Sequence, residues 1–291
     1  MTKSDQNPWR RTRVAAFAEG ELRPRMDLLA VERALEIQVA GARPLITMRT
    51  PGADRELVAG LMHGEGVVNS CDEIVYLKHA PHEPDVMRLM LKPAARQRFA
   101  RSERSTLATS ACGVCGKPSF ALPAAAQLDD VPIRITPQML LALPQRLRRA
   151  QAVFEATGGL HAVGLFDSRG NLVALREDVG RHNALDKLIG RALLDGRLPL
   201  NDYVLLLSGR ASYELLQKSI QAGVAVICAV SAPSSHAVQL AADAGATLIG
   251  FLRGQRFNVY SGQWRITAAM AEQTQRAIPR SNGSAQTGSV G

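Results

Sequence analysis

Between residues 162 and 251 lie four short apolar runs, at 162–166, 203–207, 224–230 and 247–251. Segments of helical spacing at 181–194, 211–222 and 235–245 lie between them. A strand that alternates apolar and polar residues can leave one face in water, whereas a run that is apolar throughout has to be covered on both faces. Helices alternating with such runs supply the covers, so the pattern predicts an α/β layer architecture around a buried, largely parallel sheet. Just upstream, residues 137–155 carry Met139, Leu140, Leu143, Leu147 and Phe154 on what is mostly one helical face, interrupted by Pro144. No internal repeat is visible.

The first third of the chain has a different grain. Glu36–Val39 and Leu45–Arg49 alternate as strands do, with a Gly41-Ala42-Arg43-Pro44 turn between them, and together they predict a hairpin. Pro51 opens a predicted helix through Asp54–Met62, with acidic residues at its positive end and His63 and Gly64 at its close. Two more strand-like runs, at 74–77 and 86–91, precede an Arg-rich stretch at 96–104. The expected division is a basic tail at 1–13, a small α+β unit at 14–104, a larger α/β unit at 105–278 and a second tail at 279–291. The final Ser/Gly/Gln-rich residues offer nothing to bury.

With 35 Lys and Arg against 26 Asp and Glu, the chain carries a formal charge of +9, which favours anionic partners without choosing among them. Aromatics make up only 4%, which argues against a surface that stacks single-stranded nucleic acid, and no helix carries a dense basic stripe. A nucleic-acid-binding protein is therefore the alternative from a different class, and no nucleic-acid partner is expected. There is no apolar run of about 18 residues to span a bilayer. Trp9-Arg10-Arg11-Thr12-Arg13 has the look of a twin-arginine signal, but Glu19-Gly20-Glu21 cuts short the apolar stretch after it. A cytoplasmic location and no membrane partner are the expectations.

Four cysteines are too few for a disulfide scaffold in 291 residues. Cys71 and Cys228 stand alone and read as small buried hydrophobes. Cys112 and Cys115 form a Cys-x-x-Cys loop with Gly113, Gly116 and Lys117, an environment in which a thiolate, the form that attacks sulfur, can be stabilised. On pattern alone this pair is open to structural zinc, thiol redox chemistry or sulfur transfer. Zinc needs two further ligands that spacing does not supply, although His161 could contribute one in three dimensions. A thioredoxin-type site expects a strand before the pair and a helix after it, whereas here 101–106 is polar and Pro118 and Pro123 follow.

Three further constellations bear chemistry. Arg176–Lys187 gathers charged residues and His182 between a strand and an amphipathic helix; a ligand-binding turn and a salt-bridged surface turn are both open. Ser208-Gly209-Arg210-Ala211-Ser212-Tyr213-Glu214 leads from a strand into a helix whose free amides could hold an anion, or whose Ser is simply an N-cap with Glu214 completing it. Gly250–Tyr260 places Arg253 and Arg256 about Gly254, either as a phosphate grip with Phe251 or Phe257 stacked on a heterocycle, or as a β-hairpin with exposed arginines.

Taken in order, these segments resemble the FdhD family, accessory proteins needed for active formate dehydrogenase. Glu177–Lys187 and Ser208–Glu214 are the strongest matches, with Cys112-Gly113-Val114-Cys115 upstream, and the resemblance runs from about residue 35 to 262. It implies a sulfur carrier that accepts persulfide sulfur from a cysteine desulfurase. The sulfur then passes to the molybdenum cofactor, in its bis-molybdopterin guanine dinucleotide form, before insertion into formate dehydrogenase. It implies Cys112 as the persulfide bearer, Cys115 as an assisting thiol, and Phe251, Leu252, Arg253, Gly254, Gln255 and Arg256 as the cofactor-binding segment. A homodimer and a cytidine-deaminase-like larger domain also follow from the resemblance, and with the further zinc ligands missing no structural metal is expected. The deaminase zinc signature is missing: no Glu stands two residues after His161 and no Pro precedes the Cys pair, which weakens the alternative of a zinc-dependent hydrolase.

Overall fold

The computed structural model describes residues 7–103 and 127–267. Its first element is a hairpin, β1 (Trp9–Ala18) and β2 (Glu21–Ala30), paired antiparallel as a sheet of its own. The tail expected at 1–13 therefore gives way to strand from Trp9 onward. Its Arg residues and the proline in β2 hide the alternation that half-buries Thr12, Val14 and Ala16.

A four-stranded sheet follows, in the order β4-β3-β6-β5, from β3 (Arg33–Val39), β4 (Leu45–Arg49), β5 (Ile74–Ala80) and β6 (Glu83–Leu91). Leu35, Ile37 and Val39 alternate inward on β3 and meet Met87, Leu89 and Leu91 of β6. Two helices complete this core, α1 (Asp54–Gly64), which adds Leu57, Val58 and Met62, and α2 (Pro93–Glu103), which adds Ala95 and Phe99. His63 is buried, and its Nδ1 meets the Val68 carbonyl at 2.9 Å to fix the turn after α1.

The larger core surrounds a six-stranded sheet. In chain order its elements are α3 (Pro137–Ala150), α4 (Ala152–Thr157), β7 (His161–Phe166), β8 (Leu172–Asp178), α5 (Arg181–Leu194), β9 (Val204–Leu207), α6 (Tyr213–Gln221), β10 (Val226–Ala229), α7 (Ser235–Asp243), β11 (Thr247–Arg253) and β12 (Arg256–Ser261). The sheet order is β12-β11-β10-β9-β7-β8. Pro144 is accommodated within α3, whose Leu140, Leu143 and Leu147 are buried.

The sheet is mixed rather than largely parallel. Only β9, β10 and β11 run parallel, joined through α6 and α7, whereas β7–β8, β7–β9 and β11–β12 pair antiparallel. The reason is connection length, since a parallel pair needs a crossover. The turn after β7 is instead tied off by Asp167, which accepts from the Arg169 and Asn171 amides, and Gly254 and Gln255 alone separate β11 from β12.

The two sheets are joined where α1 crosses α5. A Cβ added to Gly190 would lie 2.6 Å from the Gly60 amide nitrogen, and one added to Gly60 would lie 2.6 Å from the Asp186 carbonyl carbon. Glycine at both positions lets the helix backbones touch.

Candidate functional site

One edge of the six-stranded sheet collects most of the chemistry. β8 ends there at Asp178, β7 begins opposite it at His161, and β9 and β10 end beside each other at Leu207 and Ala229. Helices α5, α6 and α7 all start from this edge, so their free amides point toward it. The edge loops are bonded in series: Ser231 N donates to the Gly209 carbonyl at 3.2 Å and Phe251 N to the Ser231 carbonyl at 3.1 Å. The segments at 176–187, 208–214 and 250–256, far apart in the chain, are thereby brought together.

Within Arg176–Lys187 the structure divides the two readings residue by residue. Glu177 accepts from the Val153 and Phe154 amides at 3.2 and 2.9 Å, capping α4. Asp178 is fully buried and accepts from Thr50 N at 3.1 Å and Gly180 N at 2.8 Å, with the Lys187 ammonium 2.7 Å away. Lys187 also donates to the Thr50 carbonyl at 2.8 Å, and Asn183 Nδ2 to the Met48 carbonyl at 2.6 Å. These residues fasten the segment before α1 to the large sheet. Asp178, Lys187 and Thr50 are buried, so at these residues the segment is not a salt-bridged surface turn.

Asp186 is likewise buried and paired with Lys218 of α6 at 2.7 Å, and Lys218 reaches Glu214 at 3.3 Å. Burial pushes the Asp186 carboxyl up to about 6 against the pull of Lys218, while Asp186 and Glu214 together hold Lys218 protonated. His182 Nε2 lies 3.2 Å from Glu214 and 3.4 Å from the Ser212 hydroxyl. Burial pulls this imidazole down to about 4, opposed by Glu214. His161 is also held low by burial and by Arg181, and it packs against the backbone of Gly209. At ordinary pH the edge thus presents neutral imidazoles beside α5 and α6. Ser212 occupies the N-cap position of α6 without a side-chain capping bond, and Glu214 faces His182 and Lys218, so the simple capping reading of 208–214 fails. Ser208 instead accepts from Ala162 N at 2.9 Å, joining β7 to the end of β9.

At the far side of the edge, Phe251 holds a left-handed φ of 53° where a register shift interrupts the β11–β12 pairing. A residue of this size seldom adopts that conformation, and the bulge re-aims its side chain. Arg253 stands with its guanidinium 5.7 Å from the Phe251 ring centre, and Arg253, Gly254, Gln255 and Arg256 are all exposed at the hairpin tip. Leu252 is fully buried in the large core, so only its backbone is available to a ligand.

Cys112 and Cys115 lie outside the described residues. Cys228 sits in the core and burial drives its thiol far up, so it is no nucleophile. Cys71 is half-buried, its Sγ 3.8 Å from Asp72 Oδ1. Among the described residues no group of three or more His, Cys, Asp or Glu is placed to hold a metal ion, and no helix is long and apolar enough to cross a membrane. A cavity of about 560 Å³ lined by His63, Leu128, Val131, Pro199 and Ile220 lies at the opposite edge, away from these groups. One sequence signal marks the buried pairs: Asp186 and Lys187 fall between Leu185 and Leu188 on the packing face of α5.

A mixed α/β molecule with this edge matches a known class. The FdhD/NarQ family model covers residues 30–267, and the chain belongs to that family. Among its relatives is a sulfur carrier protein FdhD from Streptomyces avermitilis, 49% identical over 272 residues, which span 90% of this chain and 96% of the relative. Another, from Mycobacterium tuberculosis, is 44% identical over 88% of this chain and 97% of its own. A crystal structure of a proposed formate dehydrogenase accessory protein from Desulfotalea psychrophila superposes with a TM-score of 0.72 at 22% identity. It covers 90% of this chain and 100% of its own, and so shares the fold.

Proposed function

We propose that this protein is a sulfur carrier that takes persulfide sulfur from a cysteine desulfurase and delivers it to a bis-molybdopterin guanine dinucleotide cofactor bound for formate dehydrogenase. The observation that carries this reading is the relation, over about nine-tenths of the chain, to proteins named as sulfur carriers. In this reading Cys112 attacks the outer sulfur of the desulfurase persulfide. A new S–S bond forms at Cys112 and the desulfurase cysteine leaves as a thiolate. Attack by the Cys115 thiolate on the inner sulfur then closes a Cys112–Cys115 disulfide and releases hydrosulfide to the metal, the two electrons coming from the thiol pair. A later reduction by a cellular dithiol restores the carrier.

The acceptor is a substrate with two pyrophosphates and two guanines. The exposed Arg253 and Arg256 at the hairpin tip suit its phosphates, and the Phe251 ring suits a heterocycle. The neutral His161 and His182 and the helix starts along the same edge extend a polar, non-acidic surface toward it. The reading also includes a homodimer and a cytidine-deaminase-like layering of the larger sheet. The test is genetic. In cells lacking their own carrier, the wild-type chain restores formate dehydrogenase activity and Cys112→Ala does not. Equal activity from the variant would remove Cys112 from the pathway.

A further inference from the structure

The hairpin β1–β2 has no part in the sulfur-transfer reading, and the family match begins only at its end. Its base is closed by Val31 N donating to the Pro8 carbonyl at 2.8 Å and is seated on the body where β2 rests on α4 and Ala30 lies against Gly159. Its tip stands in solvent. The register sets Phe17 opposite Leu22, Ala15 opposite Pro24, Arg13 opposite Met26 and Arg11 opposite Leu28, so these side chains share one face. Phe17, Leu22 and Met26 on that face are 72%, 69% and 58% exposed. A lone two-stranded ribbon is marginal in water, and a contiguous apolar face of this kind marks a contact surface.

The same chain carries a surface that fits it. Across the outer face of the four-stranded sheet, Met48 pairs with Ala34, Ile46 with Glu36, and Glu36 with Val86. Ile46, Met48 and Met90 are exposed there. Glu36, lying among Ile46, Met48 and Val86 and accepting from Gln38, is the counter-charge for Arg11 and Arg13, which interleave with the apolar residues of the arm, while Arg88 and Lys78 stand farther along the same face. We propose that the β1–β2 hairpin of one copy lies across the outer face of the four-stranded sheet of a second copy, in a reciprocal two-fold exchange. This rests on the homodimer reading above and adds the surface that makes the dimer.

The areas agree. A ribbon of ten-residue strands is about 33 Å long and about 10 Å wide, so one face covers roughly 330 Å². Arm and cradle each lose that area and the contact occurs twice, giving about 1,300 Å², within the range of about 1,200–2,000 Å² for stable interfaces. The closed exchange satisfies both arms and both cradles, whereas an unrelated partner on the arm would leave the cradle uncovered.

The experiment is sedimentation velocity over a dilution series on the full chain and its variants, with far-UV circular dichroism to report folding. The wild type should be a dimer. Phe17→Glu/Leu22→Glu/Met26→Glu on the arm and Ile46→Glu/Met48→Glu on the cradle should each weaken it at least a hundredfold. Arg11 and Arg13 are exposed, so Arg11→Glu/Arg13→Glu leaves the fold intact; it should dimerise at least tenfold more weakly and recover when combined with Glu36→Arg. A dimer indifferent to arm, cradle and charge-reversal variants would overturn the arm exchange and leave the homodimer reading standing. A wild type that stays monomeric throughout the series would overturn both.

Discussion

Replacing Gly190 with Ala tests how the two sheets are held together. The new methyl would lie 2.6 Å from the Gly60 amide nitrogen and 2.7 Å from the Glu56 carbonyl carbon, where ordinary contact begins at 3.4 Å. The Glu56 carbonyl oxygen would be nearer still, and all three atoms are backbone that cannot rotate away, so α1 and α5 must part by roughly 1–1.5 Å, and overpacking of this kind costs about 1–3 kcal/mol or more. Loss of a glycine from a helix interior returns about 1 kcal/mol. Parting the helices also strains the bonds from Lys187 to the Thr50 carbonyl and from Thr50 N to Asp178, charge-assisted contacts worth about 1.5–3 kcal/mol each. The net expectation is a loss of about 3 kcal/mol. At about 2–4 °C per kcal/mol for a chain of this order, calorimetry should show the melting temperature falling by about 6–12 °C. An unchanged or raised melting temperature would refute the close crossing of α1 and α5.

Lys187→Met leaves the Asp178 carboxylate buried without its cation and should cost about 3–5 kcal/mol in urea unfolding. His182, pulled down to about 4 in the folded chain from a normal 6.5, binds fewer protons there than in the unfolded chain. Its contribution is present above pH 6.5 and is lost as pH falls toward 4. Asp186, raised to about 6, has the opposite slope, so the difference in unfolding free energy between wild type and His182→Gln from pH 4 to 7 isolates the imidazole, and the variant should lose less stability than wild type as pH falls. Arg253→Ala/Arg256→Ala should weaken calorimetric binding of GDP, as a probe of the cofactor arm, at least tenfold, since charge-assisted hydrogen bonds of about 1.5–3 kcal/mol each are removed. Sulfur loading of the same preparation should be unchanged.

Much of the fold was legible because local periodicity carries it. The segment at 181–194 is the span of α5, and the apolar runs at 162–166, 203–207, 224–230 and 247–251 contain or overlap β7, β9, β10 and β11. Strand direction was not legible from those runs. Apolar character reports burial on both faces, and the direction of β7 and β12 is decided by turns only a few residues long. The motif at 177–187 was visible as a cluster of charge, but the work of Asp178 and Lys187 depends on Thr50, well over a hundred residues away in sequence. The same holds for His182, whose partners Ser212 and Glu214 reach it only through the packing of α6 beside α5. The ring of Phe251 is visible in the sequence, while its left-handed backbone arises from a bulge that no residue type announces.

The proposed sulfur-bearing role of Cys112 is tested most directly by intact-protein and peptide mass spectrometry after incubation with a cysteine desulfurase and free cysteine. One added sulfur atom should localise to the peptide containing Cys112, disappear on treatment with a dithiol, and be absent from Cys112→Ala under the same conditions. Equal sulfur loading of the Cys112→Ala variant, or loading confined to Cys71 or Cys228, would remove Cys112 as the sulfur-bearing thiol.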